Sequence, residues 1–554
     1  MASGTRQDAL TAPLRIAVFR RIWLASLISN FGIMILGVGA AWTMSRLTND
    51  AQMVALVQTA LMLPIMILAL PAGALSDMFD RRLVSIAALS ISLTGAIGLC
   101  VITVAGLLTP TALLVSCFVV GSGMAVFSPA WQASVSEQVP SKALPSAIAL
   151  NGISYNLARS VGPAIGGAIV GVFGAVIAFA ANALFYIPLL IVLVFWKRSL
   201  EPARLAPETF WRAVISGLRF VRYSPSNRRF VVRTMVFGLL GGVVPALTPL
   251  ITRDLLFGGA SVYGLLLGGF GLGAVFGALI MPWMRRRFST EHSSRNSAGA
   301  MGAAILAIAV SRNEFVTLFA FVVAGIAWTN VLTLYSVAIQ MAAPCWVAGR
   351  ALAIFQATIA GGIAVGAWVW GRCAEQIGVN ECLKLAGGMM IASIMIGIWL
   401  RLPDLTVTPD DRSSDTVDPV VDLAITSRSG PIVIHIDYIV SAANARAFYG
   451  AMQDVRRHRL RMGAYGWSIA RDIADGRCWT ERFHVPTWND YLHLVDRENG
   501  AVRDAIRDCH ALLVPEEPVQ VRRLLERPAG SVRWRAEAVD RLMDVGPLDR
   551  GAPI

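Results

Sequence analysis

Three stretches near the start of this chain restrict its fold more than any motif does. Ile22 to Ser45 carries no charged side chain, Ala51 to Ser76 carries none, and Leu83 to Ser136 runs 54 positions without one. A helix that crosses a bilayer needs about 20 mostly apolar residues. The longest run is broken at Thr109-Pro110-Thr111, so it holds two such segments. The pattern continues, and twelve spans are expected near 22–46, 52–76, 83–106, 111–134, 145–171, 175–196, 230–254, 260–283, 296–312, 315–340, 350–373 and 382–401. A large soluble core does not produce so many uncharged runs. Only 15% of the residues are charged, against about 25% in soluble proteins. Ile22 to Ser45 is too long for a signal peptide and lacks a cleavage-like end.

The chain has a net charge of +13, which often points to nucleic acid. Position removes that reading. Met1 to Arg401 holds 28 basic and 12 acidic residues, or +16, and the remainder holds 20 basic and 23 acidic, or −3. The excess lies in the apolar part. On one side it includes Arg15, Arg20, Arg21, Arg81, Arg82 and Lys142, then Lys197, Arg198, Arg204, Arg212, Arg219, Arg222, Arg228 and Arg229, and finally Arg285, Arg286, Arg287 and Arg295. The opposite loops hold Arg46, Arg253, Arg312, Arg372 and Lys384. Basic loops stay cytoplasmic, so both termini are expected inside a bacterial inner membrane and no nucleic-acid partner is needed. The lipid bilayer is the first expected partner.

An internal repeat lies at an offset of 204. It carries Pro140, Ala147, Ala149, Gly162 and Gly167 onto Pro344, Ala351, Ala353, Gly366 and Gly371. The same shift takes Gly73-Ala74-Leu75 onto Gly277-Ala278-Leu279, and Thr48 and Asp50 onto Thr252 and Asp254. One register through three separated segments predicts two six-helix parallel repeats. Transporters of this kind hold substrate between the halves near the midplane.

The loop after the second span reads Gly73-Ala-Leu-Ser-Asp77-Met-Phe-Asp80-Arg81-Arg82. It resembles the G-x-L-x-D-x-x-G-R-R signature of the major facilitator superfamily. That resemblance implies a twelve-helix fold and a gating loop whose Gly73, Asp77, Arg81 and Arg82 latch one transport state. Asp80 stands where the signature has Gly. The second copy, Gly277 to Arg287, keeps the Gly, the Leu and three Arg but has no Asp, so an asymmetric latch is expected. Topogenic charge alone is the other reading of Arg81 and Arg82, and the two roles are compatible.

The fifth span contains Arg159-Ser-Val-Gly162-Pro163-Ala-Ile-Gly166-Gly167, which resembles the G-P-x-x-G-G element of exporters in that superfamily. Gly162 and Gly166 share one helix face and admit a close neighbour, and Pro163 removes a backbone donor. Ordinary small-residue packing has the same spacing. Arg159 at membrane depth costs about 2.5–3.5 kcal/mol on insertion scales. It either holds an anionic group or pairs with an acid, or it lies shallow and snorkels to the surface.

No Asp or Glu falls in the middle of a span. Proton coupling is implied by the resemblance alone, without assigned residues. Polar candidates for a substrate cavity are Asn30, Gln58, Asn151, Asn156, Asn182, Asn330, Gln340 and Gln356, with the aromatics Tyr155, Trp328 and Tyr335. Interhelical hydrogen bonding is the blander role for each.

Residues 1–200 and 230–402 are expected as the two six-helix bundles. In the loop 201–229, Trp211, Val214, Ile215 and Leu218 share a helix face among arginines, which suits an interfacial helix on anionic lipid. Residues 403–429 read as a linker and 528–554 as a tail. Between them, 430–527 alternates as β-α-β-β-α-β: strands at Ile432–Ile436, Tyr465–Ile473, Cys478–Val485 and Val519–Leu525, helices at Ala442–Arg461 and Trp488–Leu513. This order predicts a small α+β ferredoxin-like cytoplasmic domain, a candidate for dimerisation, sensing or partner docking. His435, His458, His484 and His493 form no triad or metal spacing, and Arg456, Arg457, Arg459 and Arg461 suit a solvated helix face. No metal or other cofactor is expected. None of the seven cysteines makes a C-x-x-C pair.

The segment Arg459-Leu-Arg461-Met-Gly463-Ala-Tyr465-Gly-Trp467, then Trp479-Thr-Glu481-Arg482-Phe483 and Trp488, joins the twelve spans in one pattern. Residues 10–527 resemble the transmembrane secretion effector family, a branch near the enterobactin exporter, and the last domain alone resembles antibiotic-biosynthesis monooxygenases. The resemblance implies a non-enzymatic exporter of a siderophore-like or hydrophobic drug-like molecule, working by alternating access against protons. A transporter fused to a catalytic domain and a membrane sensor are the alternatives.

Overall fold

The structure is a computed structural model that describes residues 11–140, 143–196, 210–342, 345–403, 429–496, 500–515 and 517–526, with a few positions between 421 and 426. The tail, most of the linker, and Lys142, Lys197, Arg198, Arg204 and Pro344 lie outside the described residues, as do the side chains of Asp77, Trp211 and Arg212. The chain divides into two compact units, 1–200 with 229–340 and 352–405, and 201–228 with 341–351 and 406–554.

The first unit is helical. Helices α1 (Ala17–Leu47), α2 (Ala51–Met78), α3 (Arg81–Val104), α4 (Pro110–Ser134), α5 (Leu144–Phe173) and α6 (Ala175–Phe195) form its first half. After α7 (Phe210–Tyr223), which belongs to the second unit, come α8 (Pro225–Gly241), α9 (Val243–Leu250), α10 (Ala260–Arg287), α11 (Thr290–Val310), α12 (Glu314–Ala342), α13 (Cys345–Ile377), α14 (Val379–Ala392) and α15 (Ile396–Trp399). Among the described residues, eleven helices are long and apolar enough to cross a membrane. The expected segment 296–312 falls in α11, which is not one of the eleven. That helix starts earlier than expected, and its first two turns, Thr-Glu-His-Ser-Ser-Arg-Asn-Ser, are polar. α8 and α9 run on as one span, Pro225–Leu255. Helix interiors hold Pro64, Pro71, Pro129, Pro163 and Pro188, which membrane helices tolerate because neighbours re-satisfy the freed backbone.

The second unit contains a four-stranded antiparallel sheet of β1 (Ile432–Ile439), β2 (Tyr465–Arg471), β3 (Cys478–Val485) and β4 (Gln520–Leu525), in the order β2-β3-β1-β4. Helices α16 (Ala445–Met462), α17 (Trp488–Asp496) and α18 (Gly500–His510) complete it. β1 pairs Ile434 with Phe483 on one side and Ile432 with Leu525 on the other. The alternation of β1 sends Ile432, Ile434, Ile436 and Tyr438 into a core with Phe448, Met452, Val455 and Phe483. Each such side chain contributes about 1.5–3 kcal/mol by leaving water.

One expectation changes here. Arg459 is not part of a solvated face. It is buried 3.6 Å from the fully buried Glu481 and stacks over Phe483 at 5.0 Å. Glu481 also accepts from Tyr438 Oη at 3.0 Å and Trp467 Nε1 at 2.9 Å, which satisfies a charge that burial alone would penalise. In α7, Val214 and Phe220 are buried. Arg461 of α16 lies over the Phe220 ring at 5.1 Å, and Arg219 Nη1 donates to Gly463 O at 2.8 Å. α16 thus packs on α7 at Phe220, outside the face that suggested lipid; of that face Val214 is buried, while Ile215 and Leu218 stay exposed.

On α16, burial and then Arg461, Arg457 and Arg459 push His458 down to about 4. An unfolded chain takes up that proton near pH 6.5, so stability is lost as pH falls from about 6.5 toward 4. The protection of β1 amides in the full chain, taken relative to the intrinsic exchange rate at each pH, should fall as pH drops across that window, and His458→Gln should flatten the response. An unchanged pH profile in the variant would remove His458 from the account.

Candidate functional site

The halves of the first unit meet along two seams built from small residues. On one, α5 runs against α10. A Cβ added to Gly167 would sit 2.5 Å from Gly264 Cα, and one added to Gly271 would sit 2.3 Å from Ser160 Cα. Between them, Gly268 faces Ala164, and Ser160 Oγ donates to Gly271 O at 2.8 Å. On the other seam, Gly371 of α13 faces Ala55 and Gln52 of α2, and Gly361 faces Met66. Thr59 Oγ1 there donates to Ala364 O at 2.8 Å. Gly162 and Gly166 point away from the seam toward Met34, Ile35 and Val38 of α1. The exporter-like element thus serves two neighbours, α1 through Gly162 and Gly166, and α10 through Gly167. Pro163 lies buried inside α5, and its carbonyl is 2.8 Å from where a Gly264 Cβ would be.

Arg159 stands beside this seam, partly buried, with its guanidinium 5.7 Å from the centre of the Phe270 ring of α10. Among the described residues it has no carboxylate partner. Tyr155, one turn earlier, is 47% exposed. Asn151 and Gln58 are partly exposed and Gln356 and Gln340 are exposed, while Asn156 donates to Gly152 O of its own helix at 2.9 Å. The other candidates are engaged elsewhere. Asn30 donates to Ser154 Oγ at 3.3 Å. Asn182 is fully buried against Gly32, and Trp328 packs on Phe237 and Phe270. Asn330 is buried with its amide 3.1 Å from Met284 Sδ. Tyr335 is buried too, its hydroxyl 2.5 Å from Ser294 Oγ.

The signature loop has its own geometry. Arg81 Nη1 donates to Glu137 Oε1 at 2.8 Å and to Ala133 O at 2.9 Å. Arg82 donates to Leu193 O at 2.8 Å and to Val194 O. Both cations sit on carbonyl ends of helices, α4 and α6, where the helix dipole favours positive charge. Asp80 caps α3, accepting from Arg82 N at 2.9 Å with φ −58°. No left-handed residue is needed, which is why Asp fits where the signature has Gly. Gly73 approaches Ala353 of α13.

Arg285, Arg286 and Arg287 of the second copy are exposed. Its buried ion pair lies elsewhere and was not singled out from sequence. Glu291 accepts from Arg233 Nη1 at 2.5 Å, Arg295 Nε at 2.6 Å and Leu402 N at 3.0 Å. Arg233 Nη2 continues to Ser294 Oγ at 3.1 Å and so to Tyr335. Gly397 makes the room, since a Cβ there would lie 2.1 Å from Glu291 Oε1. The available signal was an Arg four positions into an apolar run, with a lone Glu opening another.

Residues 9–529 match the family described as transmembrane secretion effector. The Staphyloferrin A transporter of Staphylococcus aureus is 23% identical over 368 residues, which cover 66% of this chain and 91% of that protein. The multidrug efflux pump Tap of Mycolicibacterium fortuitum is 25% identical over 397 residues, covering 69% and 96%. In fold, the chain resembles the nucleoside transporter NupG (TM-score 0.54, 13% identity, 69% of this chain and 98% of that one) and a D-xylose-proton symporter (0.55, 14%, 70% and 98%). The family and these relatives are transporters rather than enzymes. The chain belongs to the transmembrane secretion effector family and is a membrane transporter of the major facilitator type.

Proposed function

We propose that this protein is an exporter in a bacterial plasma membrane, moving a siderophore-like or drug-like small molecule outward by alternating access coupled to inward proton flow. Arg159 holds an anionic group of the substrate, and this assignment rests on one observation. A guanidinium stands at membrane depth beside the α5–α10 seam with an aromatic ring as its partner and no carboxylate among the described residues. Such a cation is retained when it has a ligand to meet. The relatives named for a siderophore and for drug efflux support the substrate class.

In this reading, α11 is the twelfth span, the halves are parallel six-helix repeats, and the arginine-rich loops and both termini face the cytoplasm. Gly73, Asp77, Arg81 and Arg82 act as the latch. Residues 430–527 form a ferredoxin-like domain that sits in the cytoplasm and mediates self-association; the β2-β3-β1-β4 order supports that assignment.

Everted vesicles should accumulate anionic substrates, and an uncoupler should abolish uptake. A hydrogen bond to a charged group contributes about 1.5–3 kcal/mol, so Arg159→Gln should lower kcat/KM about 10- to 100-fold, with Arg159→Lys between. Wild-type kinetics in Arg159→Gln would refute the assignment.

A further inference from the structure

At the end of the bundle opposite the arginine-rich loops, one of the residues that join the halves has an unusual backbone around it. The internal repeat lays Thr48 and Asp50 onto Thr252 and Asp254, and the two copies do different things. In the first, Asp50 caps α2, accepting from Gln52 N at 2.7 Å and Met53 N at 3.2 Å. In the second, the chain makes a single π turn, Ile251–Leu255, with Leu256 N donating to Ile251 O at 3.1 Å. Phe257 follows in the left-handed region at φ 52°. Asp254 does not cap the next helix. Its carboxylate instead takes Arg253 bidentately, at 2.6 and 3.2 Å.

This hold aims the remaining guanidinium nitrogen across the seam. Arg253 Nη1 donates to Ser45 O at 2.7 Å and reaches Thr48 O at 3.4 Å, at the carbonyl end of α1. A helix C-terminus attracts a cation, and Arg presents a planar fork with donors left over after one bidentate pair. Two further contacts close the same end. Arg372 Nη1 donates to Gln52 Oε1 at 3.2 Å, and Trp42 stacks on Tyr263 at 5.9 Å. Just beside Arg253 lies a cavity of about 350 Å³ lined from both halves, by Asn49 and Ala51 on one side and Leu250, Asp254 and Glu375 on the other. π turns and left-handed bulky residues recur at functional sites. Phe257 is exposed, and its left-handed backbone closes the end of this helix, where Gly258 N donates to Thr252 O at 2.8 Å.

We propose that Arg253 is the bolt of the outer gate. With Asp254 aiming it, it clasps the end of α1 in the outward-closed state. Opening releases Ser45 and Thr48 and widens the neighbouring cavity into the exit path. Arg253 is a positioning residue, since it acts through α1 rather than on the substrate. The inference rests on the alternating-access reading and on the orientation proposed above.

The test uses the full chain with its seven native cysteines replaced, and a single reporter, Leu250→Cys. Leu250 is fully buried in the closed state. A membrane-impermeant maleimide is added from the outer side of right-side-out vesicles. Arg253→Gln should speed labelling at least tenfold, Arg253→Lys less, and KM for outward transport should change less than kcat. An acceleration below threefold overturns the bolt. Ala304→Cys, inside α11, controls for unfolding. If it too is labelled in Arg253→Gln, Asp254→Asn is scored by the same threefold criterion. Labelling does not require transport. Accelerated labelling without efflux in the wild type would sink the exporter reading and keep the gate, and normal efflux with unchanged labelling would sink the gate alone.

Discussion

Glu291→Ala will unfold the second half of the bundle at a markedly lower temperature than the wild type. The carboxylate has two arginines and a backbone N–H on it, and the side chains of Glu291 and Arg233 are only 5% and 6% exposed. Breaking a buried pair by removing one member costs about 3–5 kcal/mol, because the other charge stays behind without compensation. That is a large share of a typical total of about 5–15 kcal/mol. Thermal unfolding of the detergent-solubilised chain measures it directly. Glu291→Gln should lie between, since it keeps an acceptor for Leu402 N. Arg233→Leu combined with Glu291→Leu should recover much of the loss, as apolar replacement of a whole pair often does. An unchanged midpoint in Glu291→Ala would show that the ion pair contributes nothing.

The second large effect concerns the α5–α10 seam. Alanine at Gly167 or Gly271 places a methyl 2.5 or 2.3 Å from backbone carbon on the facing helix. Backbone cannot rotate away as a side chain can, so the helices must separate along the seam. Overpacking of this kind costs about 1–3 kcal/mol, and under the proposed alternating access, in which the halves slide along this seam, efflux should fall to near background. Gly152 is the control, with nothing within 4 Å of an added Cβ. Gly152→Ala should stabilise the helix by up to about 1 kcal/mol and leave efflux intact. Equal behaviour of Gly152→Ala and Gly167→Ala would mean that close helix approach is not what the seam glycines supply.

Much of the membrane region could be read directly, because absence of charge over about 20 or more residues is a one-dimensional signal. α11 was harder to place, since its polar opening turns hide where the helix begins. The strands of the second unit were also legible from alternation, as in Ile432 to Ile436. Pairings were not. Arg233 and Glu291 are 58 positions apart, and each alone looks like a charge near the end of a run. Glu481 sits between Thr480 and Arg482 and looks exposed, but its partners come from β1, β2 and α16. Gly264, Gly268 and Gly271 show a small-residue stripe, yet the stripe does not name α5 as its neighbour. Periodicity marked the apolar face of α7, but it carries no information about which element meets Phe220, and that is Arg461 of α16.

That last contact changes how a shortened chain should be understood. Phe220 lies on the segment between the bundles and is buried, with Arg461 of the part that follows the last span stacked over its ring. A gene cut after the membrane helices would still encode that segment and would strip it of its cover. The product would carry a sticky apolar strip in its central loop. Poor yield or clumping of such a deletion would therefore report a wound in the remaining loop rather than the loss of a signal from the missing part.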